Sequence, residues 1–161
     1  MTRLTTFMIA ALFGLAGLAQ TAGAATLCAP TKVTVIGDWG QANFTVVIAD
    51  TPAARAQGLM NVPQMPLMSG MLFIFERPQH ATFWMRNTLI PLDMLFVGPD
   101  GTILTLHENA RPMDDTTIDG GTGVLAVLEI NGGLAARLGI EEGDVLRHPA
   151  FGADAAAPCD G

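Results

Sequence analysis

Two acidic residues stand alone in otherwise apolar rows. Asp93 sits near the start of LDMLFV (92–97), and Glu129 near the end of VLAVLEI (124–130). An isolated buried carboxylate is costly, so each must be hydrogen-bonded, paired, protonated or close to water. On adjoining strands the two could form a hydrolytic acid–base pair, or line a carbohydrate cleft with Trp84 as stacking platform. Just before Asp93 lies a polar hinge, Arg86-Asn87-Thr88, ended by Pro91. The hinge offers Asp93 a guanidinium, an amide and a hydroxyl.

The set Trp84, Arg86, Asn87, Thr88, Asp93 and Glu129 has the makeup of a ligand pocket, with a few polar groups interrupting an apolar lining. In that arrangement Arg86 and Asn87 orient a polar ligand, Trp84 supplies a wall and Asp93 fixes the hinge. The structural alternative pairs Asp93 with Arg86 and places Glu129 at the start of a short helix near Gly132. A helix N-terminus favours a nearby carboxylate.

Other chemistry is thinner. Met65, Met68 and Met71 are spaced to suit copper(I), which thioethers prefer, but methionines also fill gaps beneath loops. His80, His107 and His148 are far apart and read as surface or strand-end residues. Ser69 is the only serine, and no metalloprotease, phosphate-loop, nucleophile-elbow or dinucleotide motif occurs. No catalytic residue, metal ligand set or cofactor is expected.

The elements that position these groups read as mainly β. Residues 32–36 and 43–49 alternate around Gly37-Asp38-Trp39-Gly40, a hairpin pattern. Thr51-Pro52 caps and starts a helix over 53–57, and Gly58 stops it. Strands are expected at 71–76, 83–85, 92–97, 102–106, 123–130 and 145–147, with a turn at 77–80. Gly98-Pro99-Asp100-Gly101 is a hairpin turn. Residues 108–122 read as a long loop, and a second short helix ends at Gly139. Alternation on 92–97 puts Leu92, Met94 and Phe96 on one face and Asp93, Leu95 and Val97 on the other. On 123–130 Glu129 shares a face with Val127. The expected fold is a single-domain antiparallel β-sandwich or squashed barrel with two short helices.

The run FWMRNTLIPLDMLFVGPDG (83–101) resembles the signature of the domain of unknown function 192 family. RAQGLM (55–60), SGMLFIF (69–75) and VLEINGGLAARLGIEEGDVL (127–146) match it in the same order. The usual central lysine of that signature is Arg86 here, which keeps the charge. The resemblance covers about 43–146 and implies a compact, β-rich domain, often secreted in bacteria. It implies no reaction.

Residues 1–24 have the form of a secretory signal: Arg3, an apolar run over 7–18, and Ala22-Gly23-Ala24 as cleavage site. The apolar run is short for a membrane span, so no stable insertion is expected after cleavage. The globular domain is expected over 25–148 and a tail over 149–161. Cys28 and Cys159 are the only cysteines. In an oxidising compartment they read as one disulfide joining the tails. Closing a loop of roughly 130 residues would stabilise by about 4–5 kcal/mol in the chain-entropy model. The chain carries a formal net charge of −7, which disfavours nucleic acid and anionic membranes as partners.

These features favour an exported, periplasmic or secreted, binding module over an enzyme. Its partner is a small molecule or a protein. A hydrolase using Asp93 and Glu129, a methionine-rich copper(I) handler and a purely structural or partner-binding domain are the alternatives.

Overall fold

The computed structural model describes residues 28–159; the signal-like segment lies outside them. The hairpin forms as expected, with β1 (Lys32–Gly37) antiparallel to β2 (Gly40–Ala49). Val33 and Val35 face Phe44 and Ala42 across it, and all four are buried. The Thr51 side chain accepts from Ala54 N at 3.2 Å and Pro52 opens α1 (Pro52–Gln57). Gly58, at φ 48°, ends the helix.

The chain then enters β3 (Ser69–Gln79), which runs parallel to β2. The other strands are β4 (Thr82–Phe83), β5 (Leu92–Val97), β6 (Ile103–Ala110), β7 (Ile118–Asp119), β8 (Val124–Asn131) and β9 (Val145–Arg147), with α2 (Leu134–Leu138) before β9. Seven strands form one sheet in the order β6-β5-β8-β3-β2-β1-β9, and β4 and β7 make a separate two-stranded ribbon. Every pairing in the large sheet is antiparallel except β2 with β3.

The sheet curls until its outer strands meet. Thr102, at the mouth of β6, bridges to Val145 of β9. Leu146 N donates to Gly101 O at 2.7 Å, and Ile103 N donates to Asp144 O at 2.8 Å. Gly101 has φ 88°, and a Cβ there would lie 2.7 Å from the Leu146 carbonyl oxygen, so the closure needs glycine. Joining the edges satisfies strand groups that would otherwise template aggregation.

Two cores result. The interior is filled by Phe44, Leu72, Leu95, Leu128, Ile130 and Leu146, and α2 adds Leu134 and Ala135. The residues after His148, expected as a tail, contribute Phe151 and Ala155 to the same core. Cys159 is disulfide-bonded to Cys28, with Cα atoms 5.6 Å apart. The second core lies on the outer face of β3, β5 and β8, built on Met71, Phe73, Met94, Phe96 and Val127. Phe83 of the ribbon covers it. Its ring meets Phe73 and Phe96 edge-on, with centroids 5.1 and 5.7 Å away.

Three expectations need correction. The chain does not turn at 77–80, since β3 continues to Gln79, which pairs with Val124. The segment 83–85 is not a strand; Phe83 ends β4, and Met85 N donates to Asp114 O at 2.8 Å. Within 108–122, β6 runs on to Ala110 and β7 pairs with β4. The far end of β3 and the ends of the 108–122 stretch are polar where they are exposed, which conceals their strand character, whereas Phe83 to Met85 is apolar because it packs and not because it pairs.

Asp93 has different partners from those expected. On β5 it lies opposite Ile130 of β8, and it points to the interior side. It is fully buried and accepts three backbone N–H groups: Asn109 at 2.7 Å, Gly133 at 2.8 Å and Ala135 at 2.7 Å. None of Arg86, Asn87 or Thr88 reaches it. The role assigned to Glu129 at the start of the second helix therefore belongs to Asp93. Replacing Asp93 with alanine would strand buried donors, each costing roughly 1–3 kcal/mol. Asp93→Ala is expected to lower stability by several kcal/mol in urea unfolding, and Asp93→Asn by less. A wild-type midpoint for Asp93→Ala would refute the assignment.

Candidate ligand cleft

On the outer face, Glu129 stands in register between Met71 of β3 and Met94 of β5. It forms the floor of a cleft of ≈ 350 Å³. One wall is α1 and the segment after it, with Arg55, Gly58, Leu59 and Met60. The other is the ribbon and hinge, with Phe83, Trp84, Arg86 and Thr88. Phe73 and Phe75 line it from the sheet.

The walls are fixed where the two loops cross. Met60 bridges to Thr88, and Asn61 N donates to Asn87 O at 2.8 Å. Asn61 and Asn87 sit at φ 62° and φ 55°, left-handed positions that asparagine tolerates better than most residues. Asn87 thus serves the crossing, and its amide points to the Met60 sulfur at 4.0 Å.

The rim carries cations held by outer acids. Arg86 Nε donates to Asp115 at 3.0 Å, and its guanidinium lies 4.7 Å from the Trp84 ring centroid. Trp84 is 50 % exposed. His80 Nε2 lies 2.9 Å from Asp119. Arg55 donates through Nη1 to Asp50 O and Ile74 O, at 2.7 and 2.8 Å, and through Nη2 to Glu76 at 2.8 Å. The bond from Arg55 holds the Glu76 carboxyl below its ordinary value. The Gly121 N–H, followed by His80, does the same for Asp119.

Glu129 is treated otherwise. It is 4 % exposed, and among the described residues its carboxyl makes no hydrogen bond. Burial alone pushes its pKa up to about 8, so it is neutral near pH 7. As a neutral acid it can donate one hydrogen bond and accept others.

Of the residues singled out in the sequence, Trp84, Arg86, Thr88 and Glu129 are brought together. Asn87 and Asp93 are not. The two acids lie on opposite faces of the sheet: Glu129 is paired with Met94, and Asp93 with Ile130. A shared hydrolytic site is thereby excluded. The three methionines also separate. Met65 and Met71 pack with the outer core and Met68 with the interior, so they do not converge on one copper ion. Among the described residues no group of three or more histidine, cysteine or acidic side chains gathers. No helix there is long and apolar enough to cross a membrane. Arg55 and His80 were missed as lining residues, although Arg55 opens the RAQGLM motif.

A barrel-like β domain with a cleft on one outer face is the class these features define. The family described as Uncharacterized ACR, domain of unknown function 192, matches residues 33–148, and the chain belongs to it. A protein of unknown function from Novosphingobium aromaticivorans DSM 12444 is 44 % identical, with TM-score 0.72, over 79 % of this chain and 98 % of its own. A candidate transcription regulator from Sinorhizobium meliloti 1021 is 46 % identical, with TM-score 0.70, over 71 % of this chain and 90 % of its own. No curated protein matches the sequence.

The raised pKa of Glu129 fixes a stability profile. The folded state keeps a proton that the unfolded chain releases above the ordinary glutamate value of 4.5. Stability from this group therefore falls as pH rises from about 4.5 to about 8 and then levels off. Its steepest slope is about 1.4 kcal/mol per pH unit. Glu129→Gln keeps the shape and loses the proton. Urea unfolding should find the two proteins alike at pH 5 and the variant more stable at pH 8. Parallel profiles would contradict the buried, uncompensated acid.

Proposed function

We propose that this protein is an exported, non-enzymatic binding module that takes a small ligand in the Glu129 cleft. The observation behind the reading is the Glu129 carboxyl, which opens onto the cleft from a residue only 4 % exposed and takes no hydrogen bond from the described residues. With no protein donor or acceptor on it, the carboxyl must take its hydrogen bonds from whatever fills the cleft. A ligand's polar group can take that place. The apolar walls of Phe73, Phe75 and Phe83 and the Trp84–Arg86 stack at the rim supply the remainder of a small-molecule site.

Catalysis is the weaker reading. A carboxyl with a near-neutral pKa suits general acid–base work. Among the described residues it contacts no nucleophile or second titrating group through a hydrogen bond. A role in transcription, suggested for the Sinorhizobium relative, sits poorly with a net charge of −7. The signal-like start and the bonded Cys28–Cys159 pair support export to the periplasm or beyond.

Two measurements test this. Cell fractionation with mass analysis should recover the protein outside the cytoplasm, beginning at Ala25; a full-length cytoplasmic product would refute export. A thermal-shift screen against sugars, nucleotides, amino acids and small acids should give a specific rise. Ligand at a hundredfold its Kd stabilises by about 2.7 kcal/mol. The rise should disappear in Trp84→Ala and Arg86→Ala proteins that still fold. Silence across the panel would shift the role to a protein partner.

A further inference from the structure

We propose that the cleft selects small amphipathic anions, each an aromatic or branched apolar body bearing one carboxylate or similar oxyanion. This rests on the reading of the cleft as a ligand site. The charged and titratable groups lining it are Arg55 from α1, His80 after β3, Arg86 after β4, and one acid, Glu129 of β8. The two guanidinium groups thus face the cleft, while the acids paired with them stand on its outer side.

The acids that hold the cations stand outside the lining. Side chains of Glu76, Asp115 and Asp119 are 70 %, 63 % and 66 % exposed. Such solvent-exposed pairs contribute little net energy, so a ligand anion can share or replace them at small cost. Arg86 is placed to make the contact. Among the described residues only its Nε is bonded, to Asp115, and its Cζ lies over the Trp84 ring at 4.7 Å from the centroid. Its two terminal nitrogens remain to grip an oxyanion from one side. Arg55 is committed to Asp50, Ile74 and Glu76, and contributes field more than contact.

The interior suits the other end of the ligand. Leu59, Phe73, Phe75 and Phe83 give an apolar wall, and ≈ 350 Å³ is at the small end for such pockets. Glu129, neutral below about pH 8, donates a hydrogen bond to a polar atom on the body and does not repel the anion. A cationic ligand would instead meet two permanent guanidinium groups on the cleft side, with their paired acids turned to the outer side.

The test compares one body with three heads. The protein, ¹⁵N-labelled and purified in its exported form, is titrated with phenylacetate, 2-phenylethanol and phenethylamine. The indole N–H signal of Trp84, assigned with Trp84→Phe, reports on the cleft. Trp39, whose Nε1 is held by Asp144 at 2.7 Å, serves as internal control. Phenylacetate should give a saturable shift at Trp84 and bind about tenfold or more tightly than the amine, a difference of about 1.4 kcal/mol. Arg86→Gln should remove most of that preference. Phenylacetate affinity should fall as pH rises through about 8 in the wild type and stay flatter in Glu129→Gln. Equal binding of all three probes, or preference for the amine, overturns the anion inference and leaves the cleft as a binding site. No saturable shift from any probe overturns both.

Discussion

The fold depends on how one carboxylate is satisfied. Asp93 is held inside the curled sheet and accepts N–H groups from Asn109, Gly133 and Ala135. These donors belong to the end of β6, to the turn after β8 and to α2. One side chain thus ties together three segments that β5 alone would not order. The cost of burying the acid is offset by donors that would themselves be orphaned without it. The interior core around Leu134 and Ala135 packs on an element whose start Asp93 holds.

The same sheet treats its second acid in the opposite way because strands alternate. β5 and β8 pair with Asp93 facing Ile130 and Met94 facing Glu129. One step in register therefore sends one acid to the interior and the other to the outer face. On the interior side, backbone donors converge from chain turning back toward the sheet. On the outer side, Glu129 is flanked by Met71 and Met94 and roofed by loops whose backbone groups bond to one another, as Asn61 does with Asn87. Among the described residues none of those loops' donors bonds to Glu129, and burial keeps its proton on.

Much of this arrangement is legible in the sequence where local chemistry decides it. Thr51-Pro52 and Gly58 bound α1, Gly98 to Gly101 turns β5 into β6, and the faces of β5 follow from alternation. The partners of Asp93 are not legible, because they are backbone N–H groups 16, 40 and 42 residues away. Backbone donors belong to every residue type and leave no signature. The far ends of β3 and β6 are hidden for another reason: Arg77-Pro78 and Glu108-Asn109 are polar where the strands face solvent. Four of the six residues marked for a ligand do meet in one cleft. They were marked for standing among aromatics, and the aromatics form its walls. Asn87 misled because its value lies in its backbone angle rather than its amide.

On the proposed reading, stability and binding pull against each other at Glu129. A leucine or glutamine there would relieve the buried acid, and Met71 and Met94 on either side show that the site is apolar enough to hold one. Retaining a carboxyl in that position costs folding free energy above the pH at which the unfolded chain ionises. Active and binding sites are where such costs accumulate, since a group satisfied by the protein itself is unavailable to a ligand. The rim follows the same logic at the surface. Arg86 is oriented by a ring and a single exposed acid, enough to place it but too weakly bound to occupy it. Asp93 is fully engaged within the protein, whereas Glu129 and Arg86 are held in position with hydrogen-bonding capacity unused. That contrast is the physical basis of the proposal that a ligand binds on the outer face of the sheet.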